Sequence, residues 1–268
     1  MDKVKLLWSK TNRWHRMFLL FVVTEFQLVP GGKVGFLCND PALSHQFTGD
    51  TISWKWLLTT VIFLPLAILL VIERTYNSDK QSDRAKQQAL CWYKEYLFGV
   101  LINLTVIHIL KQAIGSPRPH FFDTCSPKEA QTCERGQYVY SYTCTKAAWL
   151  SQSDRSFPSG HTSLALHAAV FIAYYLQQRT RHVKVPSILA VQILCLLAAL
   201  CCSVSRITDR RHHWWDVLAG AVLSLPILFY TIYSLCGNFH CPRVTSEEVP
   251  NIDNTKNNLH HPVIDNAT

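Results

Sequence analysis

"SRITDRRHHWWD", residues 205–216, stands between two apolar runs, Val185–Ser205 and Val217–Cys236, neither of which carries a charged residue before Arg206 or after Asp216. Three arginines, two aspartates and two histidines are gathered in this one break. Each flanking run, with its margins, reaches about 20 residues, enough to cross a hydrocarbon core of roughly 30 Å. The break therefore reads as a polar corner at a membrane surface, joining two spans.

The rest of the chain repeats the pattern. Trp56–Ile72, Tyr96–Leu110 and Thr162–Gln178 are further apolar runs, and Met17–Pro30 is a weaker one because it holds Glu25. Pro65 and Pro226 lie inside runs, where neighbouring helices can satisfy the freed carbonyls. Charged residues make up 16% of the 268 residues. That is low against the roughly 25% usual in soluble domains, and the charges cluster between the runs. The expected fold class is all-α: a polytopic membrane protein, a six-transmembrane-helix bundle with both termini cytosolic. Residues 1–16 form a cytosolic N-terminal segment, 17–236 the core, with a non-cytosolic loop at 115–157, and 237–268 a polar cytosolic tail without a fixed fold. The first run lacks a small-residue cleavage site and is expected to stay as an anchor. This orientation puts 15 of 26 Lys and Arg residues inside, in the sense of the positive-inside rule. The net charge of +8 suits anionic headgroups. No basic stripe on a soluble domain points to nucleic acid.

Three polar clusters adjoin the spans: "KQAIGSPRP" (Lys111–Pro119) ends span three, "PSGH" (Pro158–His161) starts span four, and the opening stretch joins spans five and six. Alternating span direction brings all three to the same, non-cytosolic surface. Lys111, Arg118 and Arg206 are fixed cations, and a guanidinium fork matches two oxygens of a tetrahedral anion. Ser159 and Gly160 stand at a helix start, where unpaired N–H groups and the dipole favour an anion. Gly160 lets that anion come close. If His212 and Asp216 share a helix, their i, i+4 spacing puts them on one face. The carboxylate then fixes the tautomer and leaves the other imidazole nitrogen to attack phosphorus. His161, from another span, serves as acid and then base. The cations and the helix dipole stabilise the transition-state charge, so no metal and no other cofactor is expected.

These residues resemble the three signatures of the type 2 phosphatidate phosphatase superfamily, K-x6-R-P, P-S-G-H and S-R-x5-H-x3-D. They fit at Lys111 with Arg118-Pro119, at Pro158–His161, and at Ser205-Arg206, His212 and Asp216. "GFLCND" (Gly35–Asp40), "DTIS" (Asp50–Ser53) and "PRPHFFDTC" (Pro117–Cys125) make the wider context similar to the animal lipid phosphate phosphatases over roughly residues 15–238. The resemblance implies His212 as nucleophile, Asp216 as its partner and His161 as acid–base. Lys111, Arg118, Ser159, Gly160 and Arg206 would hold phosphate. It also implies metal-independent release of phosphate from phosphatidate, lysophosphatidate, sphingosine 1-phosphate, ceramide 1-phosphate and diacylglycerol pyrophosphate. The site would be extracellular at the plasma membrane or lumenal in internal membranes. Membrane lipids are thus the expected partners, and a homo-oligomer is compatible with the sequence.

Two departures stand out. The loop 115–157 contains no Asn, whereas many relatives carry a glycosylation sequon there; the sequons at Asn103 and Asn266 fall in span three and the tail. Ser116 stands where relatives often have Arg, which bears on headgroup preference. Rival readings are the same fold acting on a soluble phosphate ester or transferring phosphate between lipids, and a non-enzymatic anion pathway or scaffold. A pore has no use for a His–Asp pair facing a second histidine.

Among other residues, His213 and Asp209 divide evenly between supporting contacts and plain packing. His120 divides evenly between the site entrance and packing, and His108 and His167 read as packing. A metal held by His212, His213 and Asp216 is disfavoured, because adjacent helical histidines point about 100° apart. Glu25 is costly in lipid and calls for a polar partner that the sequence does not name. Of the non-cytosolic cysteines, a disulfide is expected between two of Cys125, Cys133 and Cys144. Cys195, Cys201 and Cys202 read as packing, and Cys236 and Cys241 as free or acylated thiols.

Overall fold

The computed structural model describes residues 12–26, 28–76, 82–146, 153–181 and 186–240. The expected segment 1–11 and the tail beyond 240, Cys241 and Asn266 included, lie outside the described residues. The described chain is mostly helical. Its helices are α1 (Arg13–Glu25), α2 (Trp54–Tyr76), α3 (Ser82–Ile114), the short α4 (Phe121–Cys125), α5 (Gly160–Arg179), α6 (Pro186–Thr208) and α7 (Trp214–Phe229). The last runs on as a π-helical turn, Tyr230–Leu235.

Four helices among the described residues are long and apolar enough to cross a membrane: Trp54–Thr75, Ala85–Ile114, Pro186–Thr208 and Trp214–Leu235. They carry four of the six expected runs. α6 turns Leu189, Leu194 and Leu200 outward, as a lipid-facing helix does. The run Thr162–Gln178 lies in α5, which falls short for a physical reason. α5 packs against α2, α3, α6 and α7, so its Thr162, Ser163 and His167 are buried among protein groups. A helix in the middle of a bundle has no need of uniform hydropathy. The Met17–Pro30 run yields α1, only 13 residues long and packed on α3. Arg13 pairs with Glu95 across that contact.

The apolar core lies between α2, α3, α5 and α7 and includes Leu69, Tyr96, Phe171 and Leu228. At the end of the bundle away from His161, Glu73 is buried and accepts from Arg179 Nε and Nη2 at 2.7 and 2.8 Å and from the Tyr175 hydroxyl at 2.8 Å. This ion pair with its hydroxyl donor ties α2 to α5.

At the other end, the segments around 28–53 and 116–146 form a cap. Strand β1 (Phe36–Leu37) pairs antiparallel with β2 (Tyr138–Val139). A second small core of Phe36, Leu43, Phe121 and Tyr142 fills the cap. Cys125 bonds to Cys144, and Cys133 bonds to Cys38. The second bridge differs from the sequence expectation, which looked for pairing within the loop alone. The strand pairing explains it, because the hydrogen bond from Cys38 N–H to the Gln137 carbonyl, 2.8 Å, brings the two segments together.

Candidate active site

The three polar clusters converge. Lys111 lies in the last turn of α3, Arg118 in the loop after it, and Ser159 caps α5, whose first residues are Gly160 and His161. Arg206 lies in the last turn of α6, and Asp216 in the first turn of α7. A cavity of about 500 Å³ is lined by Lys111, Arg118, Gly160, His161, Arg206 and His212 among others. Ser159 and Asp216 stand behind this lining as fully buried supports.

Backbone contacts explain why segments so far apart in sequence meet. Ser159 N–H donates to the Asp216 carbonyl at 2.9 Å. A Cβ on Gly220 would collide with the Ser159 carbonyl, so glycine lets α7 dock on the start of α5. Arg118 N–H donates to the Ser153 carbonyl, and Ser156 N–H to the Ser116 carbonyl, both at 2.9 Å. Lys111 Nζ donates to the Arg155 carbonyl at 2.8 Å. The Ser159 hydroxyl accepts from Thr162 Oγ1 at 3.1 Å and so closes the first turn of α5. At Gly160, a Cβ would meet Ile107 and Lys111 side-chain carbons at ordinary distances of 3.5 and 3.9 Å.

His212 does not share a helix with Asp216. α7 begins at Trp214 with His213 as its cap, and His212 sits in the turn before it. The Asp216 carboxylate is used at that cap: Oδ2 accepts from His213 N–H at 2.9 Å and from the Ser156 hydroxyl at 2.5 Å. His212 Nδ1 stands 3.8 Å from the same oxygen, adjacent but beyond a hydrogen bond. Burial drives the His212 imidazole well below its ordinary pKa, against the opposing pull of Asp216. It is therefore a neutral base at physiological pH.

The cations are held by fixed partners. Arg206 is fully buried; it reaches Asp50 Oδ1 through Nη1 at 2.8 Å and Asp209 Oδ2 through Nη2 at 3.0 Å. Arg211 Nε shares Asp50 Oδ1 at 3.0 Å and its guanidinium lies over Phe47. Thr51 fixes Asp209 through its N–H and hydroxyl, at 2.8 and 2.6 Å. Arg118 is lowered by burial and by neighbouring Arg211 to about 9, so it stays charged at neutral pH. Arg118 Nε, His161 Nε2, His212 Nδ1 and Asp216 Oδ1 are buried polar atoms without a hydrogen-bond partner among the described residues. Arg118 and His161 line the cavity, and a tetrahedral oxyanion there would match their orphaned nitrogens.

Sequence reasoning missed four contributors: Asp50, Arg155, Ser156 and Arg211. Only Asp50 carried a signal, as the first residue of "DTIS". Asp209 proves to be a supporting contact, and His213 a helix cap stacked on Trp215 at 4.4 Å. His120 does not line the cavity; it is fully buried, with Nδ1 3.1 Å from Thr124 Oγ1 and Nε2 3.4 Å from Arg211 Nη1. His167 is buried in the bundle beside Tyr96, whereas His108 reaches the cavity and contacts Glu25. His212, His213 and Asp216 do not gather as a metal-ligating group among the described residues.

Residues 92–238 match the PAP2 superfamily. The chain is 32% identical over 222 residues to the Drosophila melanogaster protein named "Putative phosphatidate phosphatase", covering 71% of this chain and 58% of that one. It thus spans well under two thirds of that relative's length. It is 30% identical to "Phospholipid phosphatase homolog 1.2 homolog" of Caenorhabditis elegans, over 80% of this chain and 70% of that one. With "Phospholipid phosphatase 2" of Bos taurus the identity is 29%, over 84% and 80%. From the domain match and the second of these relatives together, the chain belongs to the PAP2 superfamily.

Proposed function

We propose that this chain is an integral membrane phosphatase that removes phosphate from lipid phosphate monoesters without a metal. The observation that carries the proposal is the make-up of one cavity. Lys111, Arg118, Arg206, His161 and His212 line it together with Phe21, Leu58, Leu104 and Leu164. A cationic pocket that continues into an apolar lane fits a phosphate on a lipid tail better than a soluble ester. The names of the relatives, phospholipid and phosphatidate phosphatases, agree with it.

In the proposed reaction, neutral His212 attacks phosphorus through the imidazole nitrogen turned away from Asp216. The ester P–O bond breaks, and His161 gives a proton to the departing alkoxide. Water then attacks the phosphohistidine, His161 takes its proton, and the P–N bond breaks to release phosphate and free His212. Asp216, 3.8 Å away, steadies the imidazole as it gains positive character. Lys111, Arg118 and Arg206 balance charge on the equatorial oxygens, with the start of α5 behind them.

In membrane terms, α1 and α5 join the four apolar helices as spans, both termini are cytosolic, and the site faces the lumen or the cell exterior. The two disulfides of the cap favour such an oxidising side. Phosphatidate, lysophosphatidate, sphingosine 1-phosphate, ceramide 1-phosphate and diacylglycerol pyrophosphate are the substrates to try. The test is phosphate release from this panel by purified protein in detergent micelles, beside a water-soluble phosphate monoester. Turnover of the lipids is expected. Turnover of the soluble ester alone, or of nothing, would overturn the proposal.

A further inference from the structure

The cavity is graded along α3. Leu104, His108 and Lys111 lie on one face of this helix, and all three line the cavity. At 1.5 Å of rise per residue, His108 sits about 4.5 Å from Lys111 along the axis, and Leu104 about 10 Å. Beside His108 stands Glu25, from the last turn of α1: its Oε2 is 2.6 Å from His108 Nδ1, and it lines the same cavity. Phe21, one turn earlier on α1, meets the His108 ring edge-on at 5.4 Å and helps hold the pair. Two carboxylates line this cavity: Asp50, which Arg206 and Arg211 hold at 2.8 and 3.0 Å, and Glu25, which stands beside His108 on the way to Leu58, Leu104 and Leu164.

A carboxylate at this depth is costly in a chain that spans a membrane, and α1 holds no other acidic residue. The partner of Glu25, His108, lies about one helical turn from Lys111 on α3. In a lipid phosphate seated on Lys111, that is the neighbourhood of the second carbon from the phosphate. In diacylglycerol phosphates the second carbon bears an ester oxygen, which can only accept hydrogen bonds and gains nothing from a carboxylate. In sphingoid-base phosphates it bears an ammonium group, which a carboxylate attracts and from which it accepts a charge-assisted hydrogen bond.

We propose that Glu25, oriented by His108, is a specificity-determining residue that favours lipid phosphates with a free ammonium group on the second carbon, the sphingoid-base 1-phosphates. The inference rests on the phosphatase reading above and adds to it a preference among substrates.

The test compares sphingosine 1-phosphate with N-acetylsphingosine 1-phosphate, which has the same backbone but an amide in place of the ammonium. The quantity read is the ratio of their kcat/KM values in mixed micelles, for the full chain and for Glu25→Gln. A partly unfolded preparation lowers both values and leaves the ratio alone. Loss of a charge-assisted hydrogen bond is expected to lower the ratio about ten-fold or more in Glu25→Gln, and Glu25→Asp, which keeps the charge, should retain part of the preference. An active Glu25→Gln enzyme with the wild-type ratio would overturn the assignment and leave the phosphatase reading standing. A wild-type enzyme that releases phosphate from neither lipid, nor from any other in the panel, would overturn both.

Discussion

Asp50 and Arg206 stand 156 positions apart in the chain and touch at 2.8 Å. The same carboxylate oxygen lies 3.0 Å from Arg211 Nε. One anion from the loop before α2 thus holds two arginines, one at the end of α6 and one in the turn after it. Asp50→Asn keeps the shape and removes the charge. Misplacing a positioned group by about 1 Å costs on the order of 10²-fold in rate. A fall of that size in kcat, with a smaller change in KM, is expected in steady-state assays; a wild-type kcat would contradict the positioning role.

His212→Ala and His161→Ala should each abolish phosphate release while leaving the protein in the membrane fraction. Under the proposed roles, loss of the acid–base group His161 is expected to cost about 10²–10⁴-fold, and loss of the nucleophile His212 leaves no route to the intermediate. Normal turnover by either variant would remove its assigned role.

Metal dependence offers a separate check. In the proposed reaction Lys111, Arg118 and Arg206 balance the charge that a metal would offset, so excess chelator should leave the rate largely unchanged. Loss of activity that magnesium or zinc restores would contradict the metal-free reaction.

The two disulfides should differ in worth. Cys38–Cys133 closes 95 residues and Cys125–Cys144 closes 19. Chain entropy predicts about 1.4 kcal/mol more stabilisation from the longer loop. Thermal denaturation of Cys133→Ser and Cys144→Ser variants in detergent should rank the first as the less stable. The reverse order would mean that local packing, not loop closure, dominates in the cap.

His120 gives a pH dependence. Burial, with Arg118 and Arg211 nearby, lowers it from the ordinary 6.5 to about 4. Between those values the unfolded chain binds a proton that the folded chain does not. Stability from this group is therefore complete above 6.5 and falls as the pH drops toward 4, by about 1.4 kcal/mol per pH unit within that window. His120→Gln, which cannot titrate, should flatten the dependence of melting temperature on pH between 6.5 and 4. An unchanged slope would exclude His120 as its source.

The sequence revealed most about the residues whose chemistry admits few substitutes. Lys111, Arg118, Gly160, His161, Arg206 and His212 were legible because the proposed phosphate chemistry calls for those side chains at fixed spacings, and they line one cavity. Arg155 and Arg211 were not, because an arginine in a loop has no periodicity to betray it. Helix direction was legible, but helix phase was not. The i, i+4 spacing of His212 and Asp216 suggested a shared helix, yet the capping interaction between His213 and Asp216 starts α7 two residues after His212. Hydropathy picked out four helices long and apolar enough to cross a membrane; it also marked the run Thr162–Gln178 as a span, and that run lies in α5, which packs on α2, α3, α6 and α7. The bridge from Cys38 to Cys133 depended on a strand pairing of two residues per strand, too short for any alternation to announce.

The rungs from Arg118 to Ser153 and from Ser156 to Ser116 run between main-chain atoms, and they join the loop after α3 to the approach to α5. Neither rung depends on which side chains the two strips of chain carry. At these rungs the two strips are therefore pinned together by backbone alone, and a side-chain replacement at Ser116 or Ser153 leaves both rungs their donors and acceptors.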